Sequence, residues 1–168
     1  MTKMIYFAGG CFWGMEKYFL LIEGVVDTEV GYANGTTANP SYEQVCTGQT
    51  HHAETVRVEY DPARVALKVL IELFLDAIDP TSVNKQGGDV GTQYRTGIYY
   101  TDEADLFVIQ REIDAIRPKF VLPIAVEVMP FVHFFPAEEY HQRYLEKNPA
   151  GYCHIGAALF EHAATGNK

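Results

Sequence analysis

The chain has 168 residues, 48% of them hydrophobic and 21% charged, which is enough apolar material for the core of one domain and excludes a disordered chain. A formal net charge of −9 argues against nucleic acid or an anionic membrane surface as a partner. No run approaches the length of a membrane span, and the apolar stretch Met1 to Ala8 is too short for a signal-peptide core, so a cytoplasmic protein is expected.

Lys3 to Ala8 reads as a short buried strand, broken by Gly9-Gly10. Cys11 to Ile22 follows as a helix, with Phe12, Met15, Phe19 and Ile22 at helical spacing. Val25 to Tyr32 and Glu54 to Tyr60 read as strands, the second alternating Val56, Val58 and Tyr60 with Thr55, Arg57 and Glu59. Asp61-Pro62 is expected to open a helix with Val65, Val69, Leu70, Leu73 and Phe74 on one face. Gly97 to Tyr100 is a strand, and Asp102 to Ile116 a helix ended by Pro118. Ile124 to Met129 and Phe131 to Phe135 are short strands separated by Pro130, and Ala137 to Lys147 is a last helix. The spans Ala33 to Ala53, Asp79 to Thr96 and Asn148 to the end read as long loops, which in a compact domain are usually functional or disordered. Strands and helices interleave without strict βαβ repetition. The expected fold is therefore α+β, a two-layer sandwich with helices packed on a mixed sheet, in a single domain of residues 1–168.

Cys11, Cys46 and Cys153 are an odd number in a chain without an export signal, which speaks against a structural disulfide framework and for catalytic or inert thiols. Cys11 sits where a strand ends and a helix begins. Unpaired N–H groups at a helix start favour a thiolate, the nucleophilic form, and Gly9-Gly10 permits the tight turn and leaves the sulfur approachable. Phe12 and Trp13, the only tryptophan, suit an apolar wall for a small group such as a methyl. They equally suit the core face of the helix, and Cys11 equally suits a small buried hydrophobe. Position alone leaves both readings open.

Gly10-Cys11-Phe12-Trp13 resembles the signature of the A-type peptide methionine sulfoxide reductases. The resemblance runs through nearly the whole chain. It continues in Pro40 to Gly48 with His52-Ala53-Glu54, in Gln86 to Arg95, in Ala137 to Gln142 and in Asn148 to Cys153. It implies a ferredoxin-like version of the fold and reduction of methionine S-sulfoxide, protein-bound and free, without metal or organic cofactor. It makes Cys11 the nucleophile and Glu54 the acid that donates to the departing oxygen. Tyr42 and Tyr94 would hydrogen-bond that oxygen, Phe12 and Trp13 would hold the methyl group, and Asp89 would order the third loop. It also makes Cys153, in a loop-rich tail over roughly residues 148–168, the resolving cysteine, with thioredoxin as reductant. Cys46 matches a position without a redox step. A monomer is expected. The sequence departs from the family pattern at His51, where many members have glycine, so that His51-His52 would narrow or recharge the pocket rim. No second tail cysteine follows Cys153, so regeneration would pass directly through a Cys11–Cys153 bond.

Other readings fit less well. His51, His52 and Glu54 lie close together but form no His-Glu-x-x-His, and a zinc deaminase would add a Pro-Cys-x-x-Cys. Gly87 to Gly91 makes no Gly-x-Gly-x-x-Gly after a strand. A thiol peroxidase would want a small polar pocket beside the cysteine, not Phe12 and Trp13. A non-catalytic binder of oxidised methionine would need the aromatics but neither thiol.

Overall fold

The computed structural model describes residues 1–166; Asn167 and Lys168, the end of the expected tail, lie outside the described residues. In chain order the regular elements are β1 (Lys3–Gly9), α1 (Phe12–Leu20), β2 (Val25–Ala33), α2 (Tyr42–Cys46), β3 (Ala53–Tyr60), α3 (Leu67–Ala77), β4 (Lys85–Gln86) and β5 (Asp89–Val90). β6 (Thr96–Tyr100), α4 (Ala104–Ile116), β7 (Glu127–Pro130), β8 (Phe134–Pro136), α5 (Tyr144–Lys147) and α6 (Ala157–Thr165) follow.

β1 is flanked by two antiparallel partners, with Phe7 opposite Val56 of β3 and Ile98 of β6. Side chains alternate across the strand. Ile5 and Phe7 enter the main core under the helices, while Tyr6 and Ala8 enter a smaller cluster on the other face. The six strands run β7-β6-β1-β3-β2-β8. Within that sheet the path β1-α1-β2-β3-α3-β6, with spatial order β6-β1-β3-β2, is the ferredoxin-like split βαβ arrangement. β7 extends it in parallel beyond β6, and β8 pairs antiparallel with β2, so the sheet is mixed as expected.

The helical layer is tied to the sheet by large side chains. Phe7 meets Phe19 of α1 at 4.7 Å and Phe74 of α3 at 4.8 Å between ring centroids. On the opposite face Phe131 and Phe134 cover Tyr6, at 4.4 and 5.3 Å.

Several boundaries differ from the sequence expectation. α3 starts at Leu67, because Asp61 forms a turn: its carboxylate accepts from Ala63 N–H and its carbonyl from Arg64 and Val65 N–H. The helix expected over Ala137 to Lys147 is split into a 3-10 turn at Glu139–His141 and α5, because Arg143 between them has φ +50. The strand expected over Ile124 to Met129 is confined to β7, which takes in Pro130 at its end. All three expected long loops contain structure: α2, the β4–β5 hairpin and α6.

Candidate active site

β1 ends at Gly9, and the chain turns through Gly10 at φ +87. A side chain at Gly10 would also meet Cβ of Gln86 at 2.7 Å, so both conformation and space require glycine. Cys11 follows as the N-cap of α1 and is 6% exposed. Burial pushes its thiol up and a charged Glu54 adds to that, while the N–H groups of Trp13 and Gly14 pull it down. The net direction is upward. The sequence expectation of a resting thiolate is therefore corrected: the helix start does favour the anion, but burial outweighs it, and the resting group is a thiol.

Glu54, near the start of β3, is 1% exposed. One carboxyl oxygen accepts from Phe12 N–H at 3.2 Å; the other is buried with no partner among the described residues. Burial raises its pKa to about 8, against the pull of the Phe12 N–H. At neutral pH the carboxyl is protonated, and it no longer repels a forming thiolate at Cys11.

Tyr42 opens α2 and Tyr94 closes the 3-10 turn Thr92–Tyr94. Burial raises both phenols; for Tyr42 a hydrogen bond to the Cys46 side chain adds to that, and a charged Glu54 would raise both further, so both stand as neutral donors. Tyr42 is fixed from behind by Glu138, whose carboxylate accepts from Tyr42 N–H at 2.9 Å and from the Tyr32 hydroxyl at 2.8 Å.

Phe12 is buried and Trp13 half-buried. Trp13 stacks on Tyr144 with centroids 3.8 Å apart and donates its indole N–H to Nδ1 of His141 at 2.9 Å. That bond assigns the His141 proton to Nε2, which is buried without a partner among the described residues. His141 also faces Phe12 at 5.2 Å and Tyr42 at 4.5 Å. Burial keeps its imidazole neutral. The result is an aromatic wall beside a thiol, with an acid and phenols at hand.

The tail reaches the same place. Tyr152 donates its hydroxyl to Asp89 at 3.0 Å, which ties the tail to the β4–β5 hairpin. Cys153 packs against the first turn of α1: a Cβ on Gly14 would lie 2.9 Å from its sulfur. His154 Nε2 lies 3.2 Å from the Gly9 carbonyl oxygen. Cys11 and Cys153 are both free thiols. Cys46 is exposed beside Tyr42. His51 is exposed, at φ +57, and lines an open cleft of about 410 Å³ with Cys46, Gly91 and Thr92. Among the described residues no group of three or more His, Cys, Asp or Glu side chains could hold a metal ion.

Sequence reasoning missed Tyr32, Glu138, His141, Tyr144 and Tyr152. Glu138 and His141 lie inside a stretch that carried the family resemblance, so the signal was present without a role attached. Tyr32 and Tyr144 carried no signal beyond being aromatic.

A buried thiol, a neutral carboxyl with a free oxygen and two neutral phenols on neighbouring elements define a thiol oxidoreductase acting on a polarised oxygen. The sequence profile described as peptide methionine sulfoxide reductase matches residues 3–168, and the chain belongs to that family. It is 60% identical over 163 residues to the peptide methionine sulfoxide reductase MsrA of Lachnoclostridium phytofermentans, covering 97% of this chain and 98% of that one. Among solved structures it is similar to Mxr1 of Saccharomyces cerevisiae in reduced form, with a TM-score of 0.86, 41% identity and coverage of 90% and 88%. Mxr1 in complex with Trx2 also matches, with a TM-score of 0.61, 27% identity and coverage of 85% and 84%. The protein is a thiol-dependent reductase of methionine S-sulfoxide.

Proposed function

We propose that Cys11 attacks the sulfoxide sulfur while Glu54 protonates the departing oxygen. The observation that carries this reading is the second Glu54 oxygen, buried, unpartnered and next to the helix start that holds Cys11. Tyr42 and Tyr94 donate to the same oxygen, and Phe12 and Trp13 take the methyl group. As the S–O bond breaks, Glu54 gives its proton to the oxygen and the Cys11 sulfur loses its own, which returns to Glu54. The N–H groups of Trp13 and Gly14 stabilise the sulfur as charge develops. The hydroxide so released attacks the Cys11 sulfur of the S–S sulfonium just formed, that S–S bond breaks with its electron pair leaving on the methionine sulfur, and reduced methionine departs from a Cys11 sulfenic acid.

Cys153 then attacks the oxidised sulfur, a Cys11–Cys153 disulfide forms and water leaves. A thioredoxin dithiol reduces that disulfide; the complex of yeast Mxr1 with Trx2 supports this choice of partner. Asp89 holds the tail ready through Tyr152. The substrates are oxidised proteins, peptides and free methionine sulfoxide. The enzyme works as one catalytic domain, a monomer of the cytoplasm; among the described residues no helix is long and apolar enough to cross a membrane.

The test is Glu54→Gln in single turnover with a separated S-sulfoxide. Well-placed acid catalysis is worth roughly 10²–10⁴-fold, so methionine release slows by that factor in a folded variant. A rate within threefold of wild type would remove Glu54 from the mechanism.

A further inference from the structure

Glu16 is a buried carboxylate that the proposed chemistry does not use. It lies on α1, one turn beyond Trp13, at 1% exposure. One oxygen accepts from the Thr28 hydroxyl at 2.9 Å, and the other from the backbone N–H of Arg143 at 2.6 Å. Arg143 is the N-cap of α5 and has φ +50, a left-handed conformation that non-glycine residues rarely adopt. Its two sequence neighbourhoods make the aromatic wall: Tyr144 stacks on Trp13, and His141 accepts the Trp13 indole N–H. Gln142 fastens the other side of the turn, accepting from Val30 N–H and donating to the carbonyls of Val30 and Ala137.

We propose that Glu16 is a positioning residue for the methyl pocket: by accepting the Arg143 N–H it holds the left-handed turn that presses Tyr144 and His141 against Trp13. The role is one of acceptor geometry. Neither Glu16 oxygen reaches the reacting atoms, and the turn relaxes when the Arg143 N–H loses its partner. The inference rests on Trp13 being a wall of the substrate pocket, as read above.

Trp13 is the only tryptophan, so its fluorescence reports on this wall alone. In Glu16→Ala the emission shifts to the red and KM for a methyl sulfoxide peptide rises by about tenfold, while the saturating single-turnover rate stays within about threefold. Glu16→Asp keeps the charge but is one methylene short, and gives the same result; it serves alone if the alanine variant does not fold. Glu16→Gln still accepts from Arg143 and can donate to Thr28, and restores both emission and KM. Tyr18→Phe is the control on the same helix. It loses the 2.6 Å bond to the Leu73 carbonyl, and it lowers stability without moving emission or KM. Wild-type emission and KM in Glu16→Asp would overturn the proposal, as would an equal shift in Tyr18→Phe. Trp13→Leu separates the two levels: an unchanged KM there would remove the pocket reading itself, whereas a raised KM leaves the Glu16 variants to decide the inference.

Discussion

At the residue scale the Glu54 carboxyl, the proposed acid, also bears on stability. Its pKa in the fold, about 8, lies above the ordinary 4.5 because burial penalises the charged form. A raised pKa means that its contribution to stability is fully present below about pH 4.5 and is lost as the pH rises through about 8. The span corresponds to about 5 kcal/mol in order of magnitude. Glutamine does not titrate. Glu54→Gln is therefore expected to gain stability over the wild type by a few kcal/mol between pH 5 and pH 9, as read by denaturant melting at each pH. A difference independent of pH would show that Glu54 is not neutral in the fold. None of this environment was legible at Glu54 itself, where a glutamate at a strand start reads as an ordinary surface charge. Burial arises from pairing with β2, where Glu54 lies opposite Tyr32, and from α1 above it. Cys11 was legible in place but not in charge: Gly9-Gly10 marks the helix start, while the strength of burial depends on the whole sheet. Position 51 itself favours glycine, since His51 holds φ +57.

At the scale of elements, α1 was readable because its apolar positions keep one face over a regular helix and Gly9-Gly10 fixes its start. The span Ala137 to Lys147 misled for the opposite reason. Its composition favours a helix throughout, and the break at Arg143 is imposed by Glu16 and Gln142, whose partners are distant in sequence. The same non-local placement governs the approach of the second thiol. Gly14 leaves room for Cys153, and a Cβ there would meet its sulfur at 2.9 Å. Gly14→Ala adds about 1 kcal/mol of helix propensity, so any functional loss cannot come from a weaker helix. The expected outcome is methionine release at the wild-type rate in the first turnover and disulfide formation slower by roughly tenfold, followed by quenched thiol titration. Disulfide formation at the wild-type rate would mean that Cys153 reaches Cys11 by another path.

For the whole molecule, the ferredoxin-like connection sets Cys11 and Glu54 on adjoining elements, and the loops after β2 and β5 bring Tyr42 and Tyr94 to the same end. The tail is less of a loop than its glycines indicate. It carries α6, whose Ala163 is buried, and it is pinned at Tyr152 and His154. Thiol exchange therefore starts from an ordered tail, and Cys153→Ser is expected to release one equivalent of methionine and then stop with thioredoxin as reductant. Sustained turnover would move the resolving role to Cys46 or to an external thiol. The most direct test of the two-thiol chemistry is mass spectrometry of the wild-type enzyme after one turnover with a pure S-sulfoxide and no reductant. The predicted product has lost two hydrogens and yields a peptide linking Cys11 to Cys153. A bond to Cys46, or an enzyme with all thiols intact after methionine has been released, would contradict the account.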